Sequence, residues 1–272
     1  MNTSHPHAIR NATIIWVIAS IVGAVVYYII APILAANGAI PTLASQTDID
    51  AYNIMYIFTY ASIPVFMFVV VFAGYAIFAF RVPSRPTEDG PSMRGNTQVQ
   101  ISWLLVSFAL VLFLYIVGFA GLAQIEAAAP ASSVQVNVTG QQWLWTYAYP
   151  GYKNAGSTTL YLPVNQPVEF NVTSLDVQHS FWIPELGIKQ DAVPGEMAHT
   201  WVTPNKIGDY TVRCVELCGV YHAYMNTPVV VMSQSDFQAM VQSLPPNAAA
   251  SSSFTLPSLP AMALVGVAGQ RS

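Results

Sequence analysis

The chain has 272 residues, of which 54% are hydrophobic and 8% are charged, and its formal net charge is −4. So few charged residues exclude the basic composition of a nucleic-acid-binding protein and the usual composition of a soluble domain. The composition instead indicates a membrane protein.

Three long apolar runs lie in the first half of the chain, at residues 12–35, 54–80 and 101–123, and none contains an acidic or basic residue. Each is long enough to cross the hydrocarbon layer, about 30 Å thick, as a helix of about 20 residues. The first run, within residues 1–36, fits either a retained helix or a secretory signal peptide cleaved near PILAANGA. The other two, within residues 37–126, predict a transmembrane helical hairpin.

Basic residues flank these runs asymmetrically. Arg10 precedes the first run and Arg81, Arg85 and Arg94 lie between the second and the third, whereas residues 37–52 contain no Lys or Arg. Since positively charged short loops stay on the cytoplasmic side, everything after the third run is predicted on the outer face of the plasma membrane, in the periplasm or its equivalent. The extra N-terminal apolar segment favours a prokaryotic membrane.

From about residue 127 the pattern changes to short alternating segments separated by Pro, Gly and Asn. In VQVNVTG the three valines face one side of a strand and the polar residues face the other. Many short strands predict a β-sandwich or small barrel over residues 127–243, with a closing helix at 235–243 and a flexible, Pro/Ser/Ala-rich tail over residues 244–272. The remaining strands are predicted at residues 159–162, 168–173, 199–203, 209–213 and 228–232.

The segment CVELCGVYHAYM holds both cysteines of the chain, Cys214 and Cys218, together with His222 and Met225. Their spacing of four, four and three residues would also place them on one face of a helix. Gly219 interrupts a helix, however, and the valine-containing segments on both sides favour strands. A loop between two strands is the better prediction, and in a loop all four side chains can converge on one point.

Three kinds of site fit these four residues. An even number of cysteines in an exported domain allows a disulfide, but a disulfide does not account for the histidine and the methionine. A zinc site would use the two cysteines, this histidine and another one, although zinc makes little use of a thioether. Thiolates, imidazoles and a thioether form the soft ligand set that suits copper. Two cysteines in one short loop suggest thiolates that bridge two copper ions.

From about residue 54 to 243 the chain resembles subunit II of the haem-copper cytochrome c oxidases. The family's ligand loop reads Cys, any residue, Glu, any residue, Cys, then His after three residues and Met after two more, and the segment above has all of it. The family's other histidine opens a His-Ser motif about 35 residues upstream, which is His179 in DVQHSFWIPELGIKQDAVPG. The resemblance implies a membrane-anchored, cupredoxin-like β-sandwich with a dinuclear copper centre, CuA.

The resemblance also implies a role for each matching residue. The two cysteines would bridge two copper ions, one histidine would complete each ion, the methionine would be a weak axial ligand, and a glutamate backbone carbonyl would bind the other ion. The side chain of that glutamate would join a magnesium site at the contact with subunit I. The implied residues are His179, Cys214, Glu216, Cys218, His222 and Met225.

Two further positions are compared with the family pattern. GQQWLWTYAYP resembles the aromatic segment whose first tryptophan receives electrons, which is Trp143, and Trp145 is predicted on the same strand face. NTQVQISW has Gln100 where the family has a glutamate at the mouth of a proton pathway. A neutral amide cannot take up a proton as a carboxylate does, so the proton-pathway role is not carried over to this residue.

The implied function is that of a non-catalytic, electron-accepting subunit of a proton-translocating terminal oxidase. It would pass electrons from an external donor to haem in subunit I, where oxygen is reduced to water. The implied partners are subunit I, subunit III, membrane lipid and a donor that is either cytochrome c or a small copper protein. Two alternatives stay open: the CuA subunit of a nitric oxide reductase, and a copper-binding, chaperone-like module.

Charges near the predicted electron-accepting tryptophan are sparse. Residues 141–162 contain no acid, and the candidate docking acids are Asp176, Glu185 and Asp191. A weak field steers a basic cytochrome poorly, so we expect a donor that docks mainly by apolar contact. A charge-poor outer domain would also suit an acidic exterior.

Overall fold

The computed structural model describes residues 7–37, 43–81 and 95–246. Three long helices come first: α1 (Ala8–Ala36), α2 (Gln46–Ala79) and α3 (Thr97–Ile125). All three are long and apolar enough to cross a membrane, and almost none of their side chains are buried within the protein. The three predicted helices are thus present, whereas Arg85, Arg94 and the tail from residue 247 onward lie outside the described residues.

Helices α2 and α3 begin at side-chain caps, and the three helices contact one another. The Ser45 hydroxyl accepts the Asp48 N–H at the start of α2, and Asn96 caps α3 in the same way. Helix α1 lies against α2, where the Trp16 indole N–H donates to the Pro64 carbonyl at 2.7 Å. The first helix therefore makes a specific polar contact with the hairpin as well as apolar ones.

A β-sandwich follows the helices and consists of two five-stranded sheets, with strand orders β3-β2-β1-β5-β8 and β4-β10-β9-β6-β7. Parallel pairing of β1 with β5 and of β4 with β10 joins segments that are distant in sequence. This is the predicted cupredoxin-like sandwich. The strands are β1 (Val134–Gln141), β2 (Leu144–Tyr149), β3 (Ala155–Ser157), β4 (Leu160–Pro163), β5 (Val168–Ser174), β6 (His179–Ile183), β7 (Ile188–Ala192), β8 (Ala198–Val202), β9 (Gly208–Cys214) and β10 (Asn226–Met232).

The core lies between the two sheets. The valines of β1 alternate as predicted, with their side chains buried and the intervening polar ones partly exposed. Large buried aromatic side chains, including Trp145, Tyr147, Phe170 and Phe181, fill the space between the sheets. The predicted closing helix is present as α4 (Gln234–Ser243), which buries Phe237 and Val241 against the sandwich.

Candidate metal centre

The predicted ligands converge at one end of the second sheet. His179 begins β6 and Cys214 ends β9, and these two strands are antiparallel neighbours in which Phe181 pairs with Cys214. The connection from β9 to β10, residues 215–225, is the predicted loop, and it contains only a short 3-10 turn. Its ends are fixed because the Cys214 N–H donates to the Met225 carbonyl at 3.1 Å, and the Val215 N–H to that of Ser180.

Sulfur and imidazole atoms lie close together in this loop. The Sγ atoms of Cys214 and Cys218 are 3.8 Å apart. His179 Nδ1 lies 3.8 Å from the sulfur of Cys214, and His222 Nδ1 lies 3.5 Å from that of Cys218. The Met225 sulfur lies 3.8 Å from the sulfur of Cys218. The structure therefore brings together all five of the predicted side-chain ligands.

The cysteine geometry fits metal binding. A separation of 3.8 Å is too long for a disulfide, whose bond is about 2.05 Å, and short enough for both sulfurs to reach one ion at about 2.3 Å. The ligand atoms of His179, Cys214 and Cys218 all lie within 4.8 Å of one another, and all three residues are buried. Burial, and then the neighbouring Cys214, raises the pKa of the Cys218 thiol to about 12. Without a metal the thiol is therefore neutral, and a cation would stabilise the thiolate form.

The donor set extends beyond this compact group. His222 is half-buried and reaches Cys218, while the buried Met225 supplies a thioether. The Glu216 carbonyl oxygen lies 3.4 Å from the sulfur of Cys214, so it also faces the group. Three sulfurs, two imidazoles and one carbonyl are more donors than a tetrahedral zinc site uses.

His179 also contacts Asp176, which the sequence predicted as a docking acid. Its Nε2 lies 2.9 Å from Asp176 Oδ1, which leaves Nδ1 toward the cysteines. The other carboxylate oxygen of Asp176 accepts the Gln142 N–H at 2.7 Å. Partial desolvation tends to raise the pKa of Asp176, but hydrogen bonds from the Gln142 and Val177 N–H groups and from His179 lower it overall. Asp176 is therefore a charged partner of His179 as well as a surface acid.

Trp143 lies against the ligand loop. The sequence predicted Trp143 on the same strand face as Trp145, but Trp143 lies in the turn between β1 and β2. Trp145 is fully buried in the core. The Trp143 ring meets that of Tyr221 edge to face at 4.8 Å between centroids. Gly219 has φ +125°, and a Cβ there would lie 3.1 Å from Trp143 Cζ2. The glycine therefore lets the indole approach the loop backbone closely.

Gln142 also contacts the ligand loop, and this contact could not be predicted from the sequence. Its side-chain amide donates to the Cys218 carbonyl at 2.7 Å, while its backbone N–H donates to Asp176. The residue thus links the β1–β2 turn to both the ligand loop and the loop before β6. Its position directly before Trp143 is the only sequence signal for this role.

The other predicted positions are more dispersed. Gln100 is exposed in the first turn of α3, and the Glu216 side chain is half-buried beside the loop. Of the predicted docking acids, Asp191 accepts the Ser180 hydroxyl and lies 3.7 Å from Lys189. Glu185 faces the start of α2 instead of the ligand loop, because its carbonyl accepts the Ala44 N–H and its carboxyl interacts with Asp48.

Together, the helices, the sandwich and the buried sulfur and imidazole donors define a cupredoxin-like protein with three helices apolar enough to span a membrane and a candidate metal site. The family model for the periplasmic domain of cytochrome c oxidase subunit II matches residues 156–234. Subunit 2 of Cereibacter sphaeroides is 30% identical over 221 residues, which cover 65% of this chain and 70% of that protein. The chain belongs to the cytochrome c oxidase subunit 2 family.

The chain is also similar to a further relative and to a solved structure. Subunit 2 of Alkalihalophilus pseudofirmus is 30% identical over 183 residues, and the match spans 65% of this chain but only 54% of that relative. The crystal structure of the periplasmic domain of subunit II of cytochrome oxidase (CoxB) of Bradyrhizobium japonicum is 31% identical. It covers 43% of this chain and 96% of that domain, with a TM-score of 0.41.

Proposed function

We propose that the protein is the electron-accepting subunit of a terminal oxidase, which takes electrons from a donor outside the membrane and passes them to haem in subunit I. The observation that carries the proposal is the convergence of two thiols, two imidazoles and a thioether in one buried loop. Family membership and the three apolar helices support it. Reduction of oxygen and proton translocation belong to the complex, in which this subunit is non-catalytic.

The donor set fits a dinuclear copper centre, CuA. Cys214, Cys218, His179, His222 and Met225 would hold the copper ions. The carbonyl of Glu216 would complete the set. Copper ions held by these residues would supply a one-electron carrier.

The surrounding residues hold this donor set in place. The ends of the ligand loop are hydrogen-bonded to neighbouring strands, and Asp176 fixes the orientation of the His179 ring. Burial of both cysteines excludes water from the sulfur atoms. Such a rigid, dry environment lowers the reorganisation that accompanies a change of charge, which favours rapid electron transfer.

The surface beside Trp143 would receive the donor. Trp143 connects the exterior to Gly219 and Tyr221 of the ligand loop. Leu217, Val220 and Tyr224 of the same loop are 79%, 85% and 79% exposed. This surface is apolar, which supports a cytochrome c or small copper protein that docks mainly by apolar contact. The Glu216 side chain is proposed for a magnesium site at the contact with subunit I, while subunit III is proposed as a further partner.

The protein is proposed to lie in a prokaryotic plasma membrane with the sandwich on the outer face. Arg10 precedes most of α1 and Arg81 follows α2, which places both at the proposed cytoplasmic ends. We propose that the hydrophobic segment within residues 1–36 is retained, which is supported by the hydrogen bond from Trp16 of α1 to Pro64 of α2. The other proposed units are the hairpin (37–126), the copper domain (127–243) and the tail (244–272).

The proposal is tested by purifying the complex through an affinity tag on this chain. We expect a haem-containing subunit in the purified complex and oxygen consumption driven by a reduced donor. Cys218→Ser should keep the haem-containing partner but lose donor-driven oxygen consumption, which separates assembly from electron transfer. Nitric oxide reduction without oxygen consumption, or absence of a haem-containing partner, would contradict the proposal.

A further inference from the structure

One peptide group of the ligand loop, the one that joins Cys218 to Gly219, is contacted by two consecutive residues of the β1–β2 turn. The Gln142 side-chain amide donates to the Cys218 carbonyl at 2.7 Å. The ring of Trp143 lies against Gly219, where a Cβ would be 3.1 Å from Trp143 Cζ2 and 3.2 Å from its Nε1. The hydrogen bond and the ring contact therefore meet at the same peptide group.

The contact between Trp143 and Gly219 has no hydrogen bond of its own. Trp143 Nε1 is buried and has no hydrogen-bond partner in the described part of the chain. The ring's other neighbour in the loop, Tyr221, is more than half exposed. Packing attraction is short-ranged, since a gap of about 0.5 to 1 Å already forfeits about a quarter to a half of it. The distance between the ring and the loop must therefore be fixed by another residue.

The middle of the ligand loop has few other supports. The backbone hydrogen bonds of Cys214 and Val215 fix its beginning and join it to its end. Around Gly219, by contrast, the side chains of Leu217 and Val220 are largely exposed and contribute little packing. Within residues 95–246, no second hydrogen bond joins the β1–β2 turn to this loop. The Gln142 amide is thus the polar contact that holds the middle of the loop against the turn.

Gln142 is itself fixed at its backbone. Its N–H donates to Asp176 Oδ2 at 2.7 Å, and Asp176 also contacts His179. This N–H is kept by every substitution except proline. The Gln142 side chain can therefore be changed while the backbone hydrogen bond to Asp176 remains available.

We propose that Gln142 is a positioning residue for electron entry, because its amide holds the Cys218–Gly219 peptide group in contact with the Trp143 ring. The inference rests on the proposed function. One electron leaves the reduced donor, crosses the contact between Trp143 and Gly219, and continues through covalent bonds to the sulfur of Cys218. The donor is oxidised, the metal centre is reduced, and no bond forms or breaks. Since electron transfer slows steeply as a gap widens, the hydrogen bond sets the rate of entry.

This role is distinct from metal binding. Gln142 donates to a backbone carbonyl, whereas the candidate ligands are five side chains and the Glu216 carbonyl. Loss of the amide leaves all of these donor atoms in the chain. We therefore expect electron entry to depend on Gln142 and copper retention to be independent of it.

The test compares Gln142→Met, which keeps the length of the side chain but has no N–H donor, with Gln141→Met. Gln141 is the matched control, because it is exposed and its side chain makes no hydrogen bond within the described residues. The purified complex is mixed with a reduced cytochrome c or a reduced small copper protein, whichever reduces the wild type. We expect Gln142→Met to be reduced about tenfold more slowly than the wild type and the control, with equal copper per chain in all three.

A double-mutant cycle separates positioning from direct contact with the donor. If Gln142 acts through the Trp143 ring, adding Gln142→Met to Trp143→Phe should slow reduction no further. Slowing by the same factor in both backgrounds would overturn the proposal, since it would show that Gln142 acts without Trp143.

Hydrogen–deuterium exchange of the metal-free full chain in lipid nanodiscs tests the loop without any electron transfer. The His222 N–H donates to the Gly219 carbonyl at 3.1 Å, so its exchange reports on the middle of the loop. We expect it to exchange about fivefold faster in Gln142→Met than in Gln141→Met, whereas the Cys214 N–H at the beginning of the loop is unchanged.

The outcomes distinguish this inference from the proposed function. If neither donor reduces the wild type, the proposed function is wrong and the inference falls with it. If the wild type is reduced but Gln142→Met is reduced equally fast, only the inference is overturned. Loss of copper from Gln142→Met, or equal His222 exchange in Gln142→Met and Gln141→Met, would overturn it as well.

Discussion

A single carboxylate, that of Asp176, connects the candidate metal site to the surface. It accepts hydrogen bonds from His179 Nε2 at 2.9 Å and from the Gln142 N–H at 2.7 Å, while its side chain stays 32% exposed. A carboxylate in this position sets which ring nitrogen of the histidine is free for a metal and increases its basicity. Asp176 is therefore a positioning residue for His179.

We predict that Asp176→Asn weakens copper retention by about 10- to 100-fold, as is typical when a histidine ligand loses its carboxylate partner. The measurement is copper bound per chain during competition with a chelator. The exposed acid Glu196, changed to Gln, is the matched control and should retain copper like the wild type. Equal retention in all three proteins would show that the hydrogen bond does not support the site.

Trp143 is predicted to serve electron transfer and not metal binding, since its ring contacts the ligand loop without offering a donor atom to it. Trp143→Phe should slow reduction by an external donor at least tenfold, whereas copper content and its spectrum stay unchanged. Trp201→Phe, at a tryptophan that donates to Ala127 away from the loop, is the control. Unchanged reduction rates in Trp143→Phe would place the electron-accepting surface elsewhere.

The sequence anticipated the donor residues because they follow one another in a single loop, with only His179 further away. The roles of Asp176 and Gln142 depend on three loops that meet only in the folded chain. Glu185 was expected near the donor surface because it carries a charge, but its strand connection turns it toward α2. Short-range spacing thus predicts ligands better than it predicts their supporting contacts.

At the scale of elements, alternation of apolar and polar residues predicted the strands that are buried on one face only. β1 and β5 are examples, with alternating buried and partly exposed side chains. β6 was not predicted, because consecutive side chains are buried in it. β6 lies inside its sheet and starts with His179, so the strand closest to the metal site lacks the pattern that identifies a strand.

Strand β1 is also a support for the site. A Cβ on Gly140 would lie 2.9 Å from Trp145 Cζ3 and 3.1 Å from His179 Cδ2, so the buried indole and imidazole both need this glycine. We predict that Gly140→Ala destabilises the sandwich by about 1 to 3 kcal/mol through overpacking and lowers copper retention. Thermal unfolding and copper content are the measurements.

The control for this substitution is Gly151→Ala, because a Cβ at Gly151 would meet nothing within 4 Å. It should unfold within about 0.5 kcal/mol of the wild type, as most surface substitutions do. An unfolding midpoint and copper content for Gly140→Ala that equal those of the control would contradict the close contact between β1 and His179.

For the whole molecule, the apolar surface around Trp143 is the proposed docking surface for the electron donor. Exposed Leu217, Val220 and Tyr224 surround a site at which Asp176 is engaged with His179 and the Glu216 side chain is half-buried. We predict that the rate of reduction by the native donor changes less than about threefold between low salt and about 0.5 M salt, because little long-range attraction is available for screening. A steep fall in rate with rising salt would indicate electrostatic steering instead.

The arrangement of three apolar helices before a sandwich follows from composition and was predicted from the sequence. The contact between the helices and the sandwich was not predicted, because Asp48 and Glu185 are far apart in sequence and each resembles an ordinary surface acid. Only the fold shows that Gly187 lies close to the Asp48 backbone and that one carboxyl oxygen of each acid is buried. Contacts of this kind depend on the docking of whole elements, which local patterns do not encode.

We propose that the loop between β9 and β10 holds a dinuclear copper centre. The most direct measurement is copper content with an electron paramagnetic resonance spectrum of the purified full chain, wild type beside Cys218→Ser. We predict two coppers per chain with one unpaired electron spread over both nuclei, a signal that Cys218→Ser abolishes. Zinc, a single copper, or a disulfide between Cys214 and Cys218 with no metal would contradict the electron-transfer account.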